Sequence, residues 1–319
     1  MKSISIVGSG MAGLLAANVL SARSPLVLES AKSLPNNHNA VLRFKTDVVG
    51  MATAIPFRKV KVMKGVADRE SGHAILDAVR YSQKTTGRVE YRSIAGDNFS
   101  ERYIAPQDFI SRMASGANIE YGIDFRAYRR RSGEHFISTI PLPILMGILD
   151  YNDADMSLYQ YTSGWNLRAK IKAPCDFYAT MYFPNQFGSV YRASITGDEF
   201  IMEGVGNRRD GVGEIMNIAR DVARDYFGVA GPYFSDIMHE VEISDSTYQK
   251  IGYSGWELRE QNKRFIMWAS REHNIHSLGR FATWRAGLLL DDLVSDIHAV
   301  SRLIDHSDGH YNFIKDNKR

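Results

Sequence analysis

Ile4, Ile6 and Val7 form a short apolar run that breaks off into Gly8-Ser9-Gly10-Met11-Ala12-Gly13, after which Leu14, Leu15, Ala17, Val19 and Leu20 recur as on a buried helix. A second apolar run, Leu26-Val27-Leu28, ends at Glu29. Strand, glycine turn, helix and strand at this spacing predict a βαβ unit of the dinucleotide-binding kind. Asn36-Asn37-His38-Asn39 then reads as a polar loop, and residues 40–44 as a short strand or an ordered crossing segment. Pro106-Gln107-Asp108-Phe109-Ile110 opens a helix into Met113 that leads to residues 118–122, residues 134–141 read as a strand closed by a proline-marked loop, and 144–149 as a short helix.

Strand-like stretches at 177–183, 188–195 and 199–203, separated by Pro184-Asn185 and Thr196-Gly197-Asp198, predict an antiparallel sheet followed by a helix over 212–227. Near the end, Ala286, Leu289, Leu290, Leu293, Ile297, Val300 and Ile304 recur every three or four residues, which is the apolar face of a terminal helix. Asp291, Asp292 and Asp296 lie mostly off that face and favour its first turns. The pattern as a whole predicts an α/β fold: a Rossmann-like dinucleotide-binding domain split in sequence, with an inserted antiparallel-sheet substrate domain. The boundaries place the first part of the cofactor domain at 1–149, the insertion at 150–205, and linking elements with the remainder of the cofactor domain at 206–319.

Composition narrows the class. At 319 residues and 44% hydrophobic, the chain is long enough to bury a true core, which excludes a disordered chain and a small disulfide-stapled scaffold. The single cysteine, Cys175, permits no internal disulfide and no thiolate cluster, in keeping with a cytoplasmic setting. The start, MKSISIVGSG, lacks the features of a signal peptide, no apolar run reaches membrane-span length, and the nine histidines show no compact ligand spacing, so neither membrane nor metal is expected. Lys and Arg total 39 against 36 Asp and Glu, a net charge of +3 that admits an anionic cofactor, an anionic substrate or nucleic acid. Arg129, Arg130 and Arg131 beside Ser132-Gly133 read as a solvated turn rather than a phosphate patch.

In the glycine turn each glycine has its own task. Gly8 permits a tight turn, Gly10 lets backbone approach a pyrophosphate, and Gly13 removes bulk where helix packs on strand, so that the amides after Gly10, those of Met11, Ala12 and Gly13, face phosphate oxygens. Glu29, 21 residues after Gly8, stands where a carboxylate accepts both hydroxyls of an adenosine ribose. This pattern alone leaves NAD and FAD both open.

VGSGMAG at 7–13, VLES at 27–30, ISTIPLP at 137–143 and LGRFATWRAG at 278–287 with the helix behind it together resemble the FAD-binding class that contains UDP-galactopyranose mutases, protoporphyrinogen oxidases and amine oxidases. The resemblance implies FAD, held at its ADP half by Gly8, Gly10, Met11, Ala12, Gly13 and Glu29 and on its flavin side by Gly279 and Arg280. Arg43, in VLRF, is similar to an early arginine that approaches the pyrophosphate or ribityl region. The resemblance covers both ends of the chain and not the middle, where the substrate is chosen. Thr283-Trp284-Arg285 stands where the sugar mutases carry a tyrosine-rich segment, so their signature is incomplete and the resemblance carries the cofactor more readily than the reaction.

The resulting expectation is an FAD-dependent oxidoreductase acting on a small anionic substrate. The alternative is a mutase or lyase without net redox turnover, acting on a nucleotide sugar or, as in compact phage-type DNA-modification flavoenzymes, on modified thymidine in DNA. Four residues are candidates for the chemistry. His38 is a loop acid-base group or an ordinary surface histidine, and His276 an acid-base group near the flavin or a structural hydrogen-bonding residue. Arg192 is a fork for a carboxylate or phosphate or else one half of an Arg–Glu pair with Glu203, and alternation puts it on the opposite face from Tyr191 unless the strand bulges. Arg285 is a basic group beside Trp284, itself either a pocket wall or a core anchor.

Overall fold

In the computed structural model, residues 2–34, 42–67, 74–89, 94, 98–172, 176–207, 211–229, 237–252 and 255–316 are described. His38 and Cys175 lie outside them. The first apolar run is β1 (Ile4–Val7), the glycine turn feeds α1 (Met11–Val19), and the second run is β2 (Leu26–Glu29). These strands pair in parallel, Ile6 against Val27. The proline-marked run is β7 (His135–Ser138), which lies parallel on the other side of β1. β6 (Asn118–Tyr121) and β13 (Ile275–Ser277) complete a five-stranded parallel sheet in the order β13-β7-β1-β2-β6.

Both faces of this sheet are covered. Ile4, Ile6 and Ile137 pack into one core with α1, α4 (Phe109–Ser115) and the terminal helix α8 (Leu290–Asp316). Val7, Phe136 and Ile275 point into a second core with α5 (Leu142–Ile148) and α7 (Trp256–His273). Near-continuous apolar strands such as ISIV are what a sheet buried on both faces requires.

The second sheet has eight strands in the order β12-β8-β11-β10-β9-β4-β5-β3. Residues 150–205 supply β8 (Tyr161–Ile171), β9 (Tyr178–Tyr182), β10 (Val190–Thr196) and β11 (Glu199–Val205). The other four strands come from either side of that range: β3 (Arg43–Phe44), β4 (Arg58–Val66) and β5 (Asn98–Ile104) before it, β12 (Met238–Ile251) after it. The sheet is mixed rather than purely antiparallel, because β4 runs parallel to β9, Lys64 opposite Thr180. A segment of the first half of the chain therefore leaves the cofactor unit to extend the sheet, and returns through α4.

One face of this sheet is apolar and buried. Ala179, Met181, Phe183, Ala193, Ile195, Phe200 and Met202 pack against Ile215, Ala219, Val222 and Phe227 of α6 (Val212–Phe227). The alternate residues, Thr180, Tyr182, Arg192, Ser194, Thr196, Glu199 and Glu203, occupy the opposite face, as a period of two demands. The remaining helices are α2 (Val48–Thr53), which packs against α1 and α8, and α3 (Ala74–Thr86), which lies near β8, β10 and β12.

Candidate functional site

The glycine turn is built by collisions avoided. Gly8 has φ +98° and donates its N–H to Leu28 O at 2.8 Å, and a Cβ there would strike the Thr139 hydroxyl, which is itself bonded to Val7 O at 2.8 Å. A Cβ on Gly13 would run into the Gly8 carbonyl oxygen, so the third glycine sets how closely α1 approaches β1. Around Gly10 the situation is reversed: a Cβ would meet nothing within 4 Å. Gly10 is also the N-cap of α1 and supplies no side-chain cap, so the first-turn amides face an open cradle.

Glu29 stands at the end of β2 with its carboxylate fixed from below. Oε2 accepts from Ser9 N and Ser9 Oγ, both at 2.7 Å, and Oε1 accepts from Ala31 N at 2.9 Å. Burial acts to raise its pKa, but the hydrogen bonds from Ala31 and Ser9 outweigh it and hold the carboxyl below its ordinary range. The group is ionised at neutral pH and oriented.

The carboxy-terminal glycine-arginine segment comes back to this turn. Leu278 N donates to Ser138 O at 2.9 Å, and Gly279 (φ +100°) places the position of a Cβ 3.0 Å from the Ala12 Cβ. Segments 270 residues apart in sequence therefore meet at the mouth of one cradle. The Arg280 guanidinium donates to Leu288 O at 3.0 and 3.1 Å and so closes the 280–288 turn. Ser277 Oγ, two residues before Gly279, is buried without a hydrogen-bond partner. Open space at Gly10, uncapped amides and an oriented carboxylate fit a dinucleotide lying along β1, α1 and β2.

Arg43 sits elsewhere. Its guanidinium donates to Thr196 Oγ1 at 2.9 Å, Thr180 Oγ1 at 2.8 Å, Ala179 O at 2.9 Å and Ile195 O, all on β9 and β10. Burial first, and the charge of Arg192 second, depress its pKa to about 9. It belongs to the polar face of the eight-stranded sheet.

On the same face Arg192 grips Glu203 with both Nε and Nη2, the latter at 2.7 Å, and Tyr191 donates its hydroxyl to Glu203 Oε1 at 2.7 Å. Neighbours on a strand reach one carboxylate because the register shifts between Val190 and Arg192, a bulge that brings both side chains together. The Arg–Glu pair weighed for Arg192 is thus present, and the bulge brings Tyr191 onto the same carboxylate. Glu203 is only 3% exposed. Burial works against its charge, yet the Arg192 and Lys250 charges outweigh that and keep it ionised.

The other sequence candidates are dispersed. His276, on β13, is in register with Ile137 and through it with Ile6, two residues before the glycine turn. It is buried, its Nε2 3.3 Å from His135 Nδ1 and its Nδ1 3.2 Å from Ser270 Oγ, and burial with the His135 and Lys2 charges lowers its pKa to about 4. Arg285 is exposed and paired with Asp296 at 2.9 Å. Trp284 is fully buried against Tyr159 and Tyr248, which makes it a core anchor. Arg129 and Arg131 are exposed in a turn, and Arg130 lies over the Phe125 ring.

A cavity of about 980 Å³ opens between the two units, with Leu34, Leu42 and Ile110 on one side and Tyr178, Thr196 and Glu199 on the other. Two of its cations, Arg58 and Arg168, are paired with Asp176 and Glu199. The glycine turn does not line it.

No protein-family model and no curated protein matches the chain. Among solved structures it is similar to reduced UDP-galactopyranose mutase (14% identity, TM-score 0.66, 97% of this chain and 94% of that one). It is similar too to a putative protoporphyrinogen oxidase from Exiguobacterium (11%, 0.59, 95% and 98%). A third likeness is to aklavinone-11 hydroxylase solved with FAD and aklavinone (11%, 0.52, 97% and 63%). At these identities the likeness establishes a shared fold: a Rossmann-like nucleotide-binding unit with a separate mixed-sheet domain.

Proposed function

We propose that this chain is an FAD-dependent enzyme that holds the dinucleotide in the Gly10 cradle and works on a small anionic substrate against the polar face of the eight-stranded sheet. The observation that carries this reading is the meeting of the 278–280 segment with the uncapped start of α1, beside the open space at Gly10. The fold likeness supports it. The amides of Met11, Ala12 and Gly13 receive the diphosphate, and Glu29, held ionised by Ser9 and Ala31, accepts the ribose hydroxyls. Gly279 lets chain from the far end pass close to Ala12 and close the cradle, with Arg280 bracing the turn behind it. When bound, FAD supplies a two-electron acceptor and donor that no side chain offers. The polar sheet face, with its Arg192–Glu203–Tyr191 cluster, orients the substrate and excludes water.

Purified protein is expected to show flavin absorbance and to release FAD on acid denaturation. Gly10→Leu fills the cradle without touching protein atoms at its Cβ, so it should weaken FAD binding at least about tenfold while leaving the thermal midpoint within a few degrees. Full FAD retention by that variant would remove the cradle from the argument. Anaerobic mixing with candidate metabolites then separates the reaction classes: stoichiometric bleaching reversed by oxygen marks oxidation, and product without net electron transfer marks a mutase or lyase.

A further inference from the structure

Basic residues of the eight-stranded sheet differ in their partners: Lys61 lies on the other face of β4 from Lys64, and Lys250 lies over the Tyr191 ring. Arg58, Lys59, Arg168, Lys170 and Arg192 each have a carboxylate partner, respectively Asp176, Glu101, Glu199, Asp198 and Glu203. Arg43, Lys64 and Arg102 have none in contact among the described residues. Arg43 spends its donors on two hydroxyls and two carbonyls. Arg102 donates to the carbonyl of its own neighbour, Glu101, at 2.5 Å. Lys64 makes no hydrogen bond or ion pair among the described residues.

Register puts these three on one face. Arg43 is opposite Ile104, and Arg102 precedes Ile104 by two. Val60 and Val62 cluster with Ile104 and Tyr178, and Lys64 follows Val62 by two. Lys64 is in register with Thr180, whose hydroxyl takes the Arg43 guanidinium at 2.8 Å and stands 3.0 Å from Ser194 Oγ. Arg43 and Lys64 thus adjoin a pair of buried hydroxyl residues, with Arg102 on the same face, the one that α6 does not cover.

We propose that Arg43, Lys64 and Arg102, with Thr180 and Ser194 between them, form a phosphate-binding subsite for the substrate of the flavin-dependent reaction. It rests on the flavoenzyme reading and gives that reading a substrate class. Charge count selects the ligand: three cations without a carboxylate in contact call for more than one negative charge, which a phosphate monoester dianion carries and a single carboxylate does not. The electrostatics agree with the geometry. The Lys64 ammonium is pushed below its usual pKa by burial and then by the charges of Arg102, Arg43 and Lys45, and Arg43 feels Arg192 and Arg102, with Tyr182 and Glu199 opposing. A bound dianion would relieve all of these repulsions at once. Arg192 and Arg285, the arginines most conspicuous in the sequence, are already satisfied by Glu203 and Asp296.

The test is calorimetric titration of inorganic phosphate into FAD-loaded protein at low ionic strength. Wild type should bind, Lys64→Gln and Arg102→Gln should each weaken binding about tenfold, Lys64→Arg should restore most of it, and Arg129→Gln, in its exposed turn, should bind as wild type. FAD content and thermal midpoint should be unchanged in the Lys64 variants, whose side chain contacts no core residue by hydrogen bond. Absence of binding to wild type, or equal binding by Lys64→Gln, overturns the proposal. So does phosphate that displaces FAD mole for mole, since the anion site would then serve the cofactor's own diphosphate. If the chain takes up no FAD, the flavoenzyme reading fails by itself, and the same titration on the flavin-free protein still decides whether the three cations bind phosphate.

Discussion

Glu203 and His276 show how differently two buried ionisable residues can behave. Glu203 is kept charged by Arg192 and Lys250, so Glu203→Gln should leave the guanidinium facing Tyr191 without its counter-charge. Because the Arg192 side chain is 27% exposed, water recovers part of the loss, and a destabilisation of about 2–3 kcal/mol in urea unfolding is expected, with FAD content retained. His276 is instead held neutral. Its pKa of about 4 in the folded protein lies below the unfolded value near 6.5, so the unfolded chain binds the proton first as pH falls. Its contribution is complete above about pH 6.5 and is lost toward pH 4, amounting to about 2 kcal/mol between pH 7 and pH 5. His276→Gln should flatten that part of the stability profile, and an unchanged slope in urea melts at the two pH values would show that the buried His276 carries none of it. At this scale the sequence displayed the residue types but not their partners. The Arg192–Glu203 pair was one of two readings open from alternation, and it took a bulge at 190–192 to let Tyr191 join. Lys64 and Arg102 carried no motif at all, because a cation's importance here depends on which neighbours lack a carboxylate, and that is set by strand pairing across more than 100 residues.

At the scale of elements, α6, β1, α1, β2, β7 and β9 to β11 stand where the apolar pattern puts them, since α1, α6 and β9 to β11 bury one face and β1, β2 and β7, apolar nearly throughout, bury both. β4, α3, β12 and α7 were not legible. β12 is an edge strand of mostly polar residues, MHEVEISDSTYQKI, with two shifts of register against β8, so it offers no clean alternation. α7 has a narrow buried stripe, Leu258, Gln261, Asn262, Phe265 and Ala269, in which two polar side chains break the apolar period. Gln261 and Asn262 are there to bond the Asp155 backbone and the Tyr159 hydroxyl. The glycine turn allows a sharp comparison between neighbours in one motif. Gly13→Ala places a methyl against the Gly8 carbonyl, a backbone atom that cannot swing away, and should cost about 1–3 kcal/mol in unfolding free energy, whereas Gly10→Leu should cost little. Equal thermal shifts for the two variants would contradict the geometry of the turn.

For the whole molecule, the terminal helix is as much a part of the nucleotide-binding unit as α1. Leu293, Val294, Ile297 and Ile304 share one core with Leu14, Leu15 and Ala17, and Asp291 accepts from Thr46 N and Oγ1 at 2.8 Å. A chain ending at residue 289 would leave that face of α1 exposed to water. It should lose cooperative unfolding and resistance to limited proteolysis, and survival of a sharp transition would argue that α1 is held by the sheet alone. The pairing of β4 with β9 reaches further. Met63 meets Ala179, β8 waits for β12 from residue 238 onward, and β7 waits for β13 at residue 275. As the chain leaves the ribosome, neither sheet can be completed from what has already emerged, and unpaired strand edges persist until residues 238–251 and 275–277 have been made. Synthesis and folding are thereby uncoupled: the earlier strands must stay unaggregated until those residues emerge and then assemble both sheets, at the slow rate that contacts so distant along the chain impose.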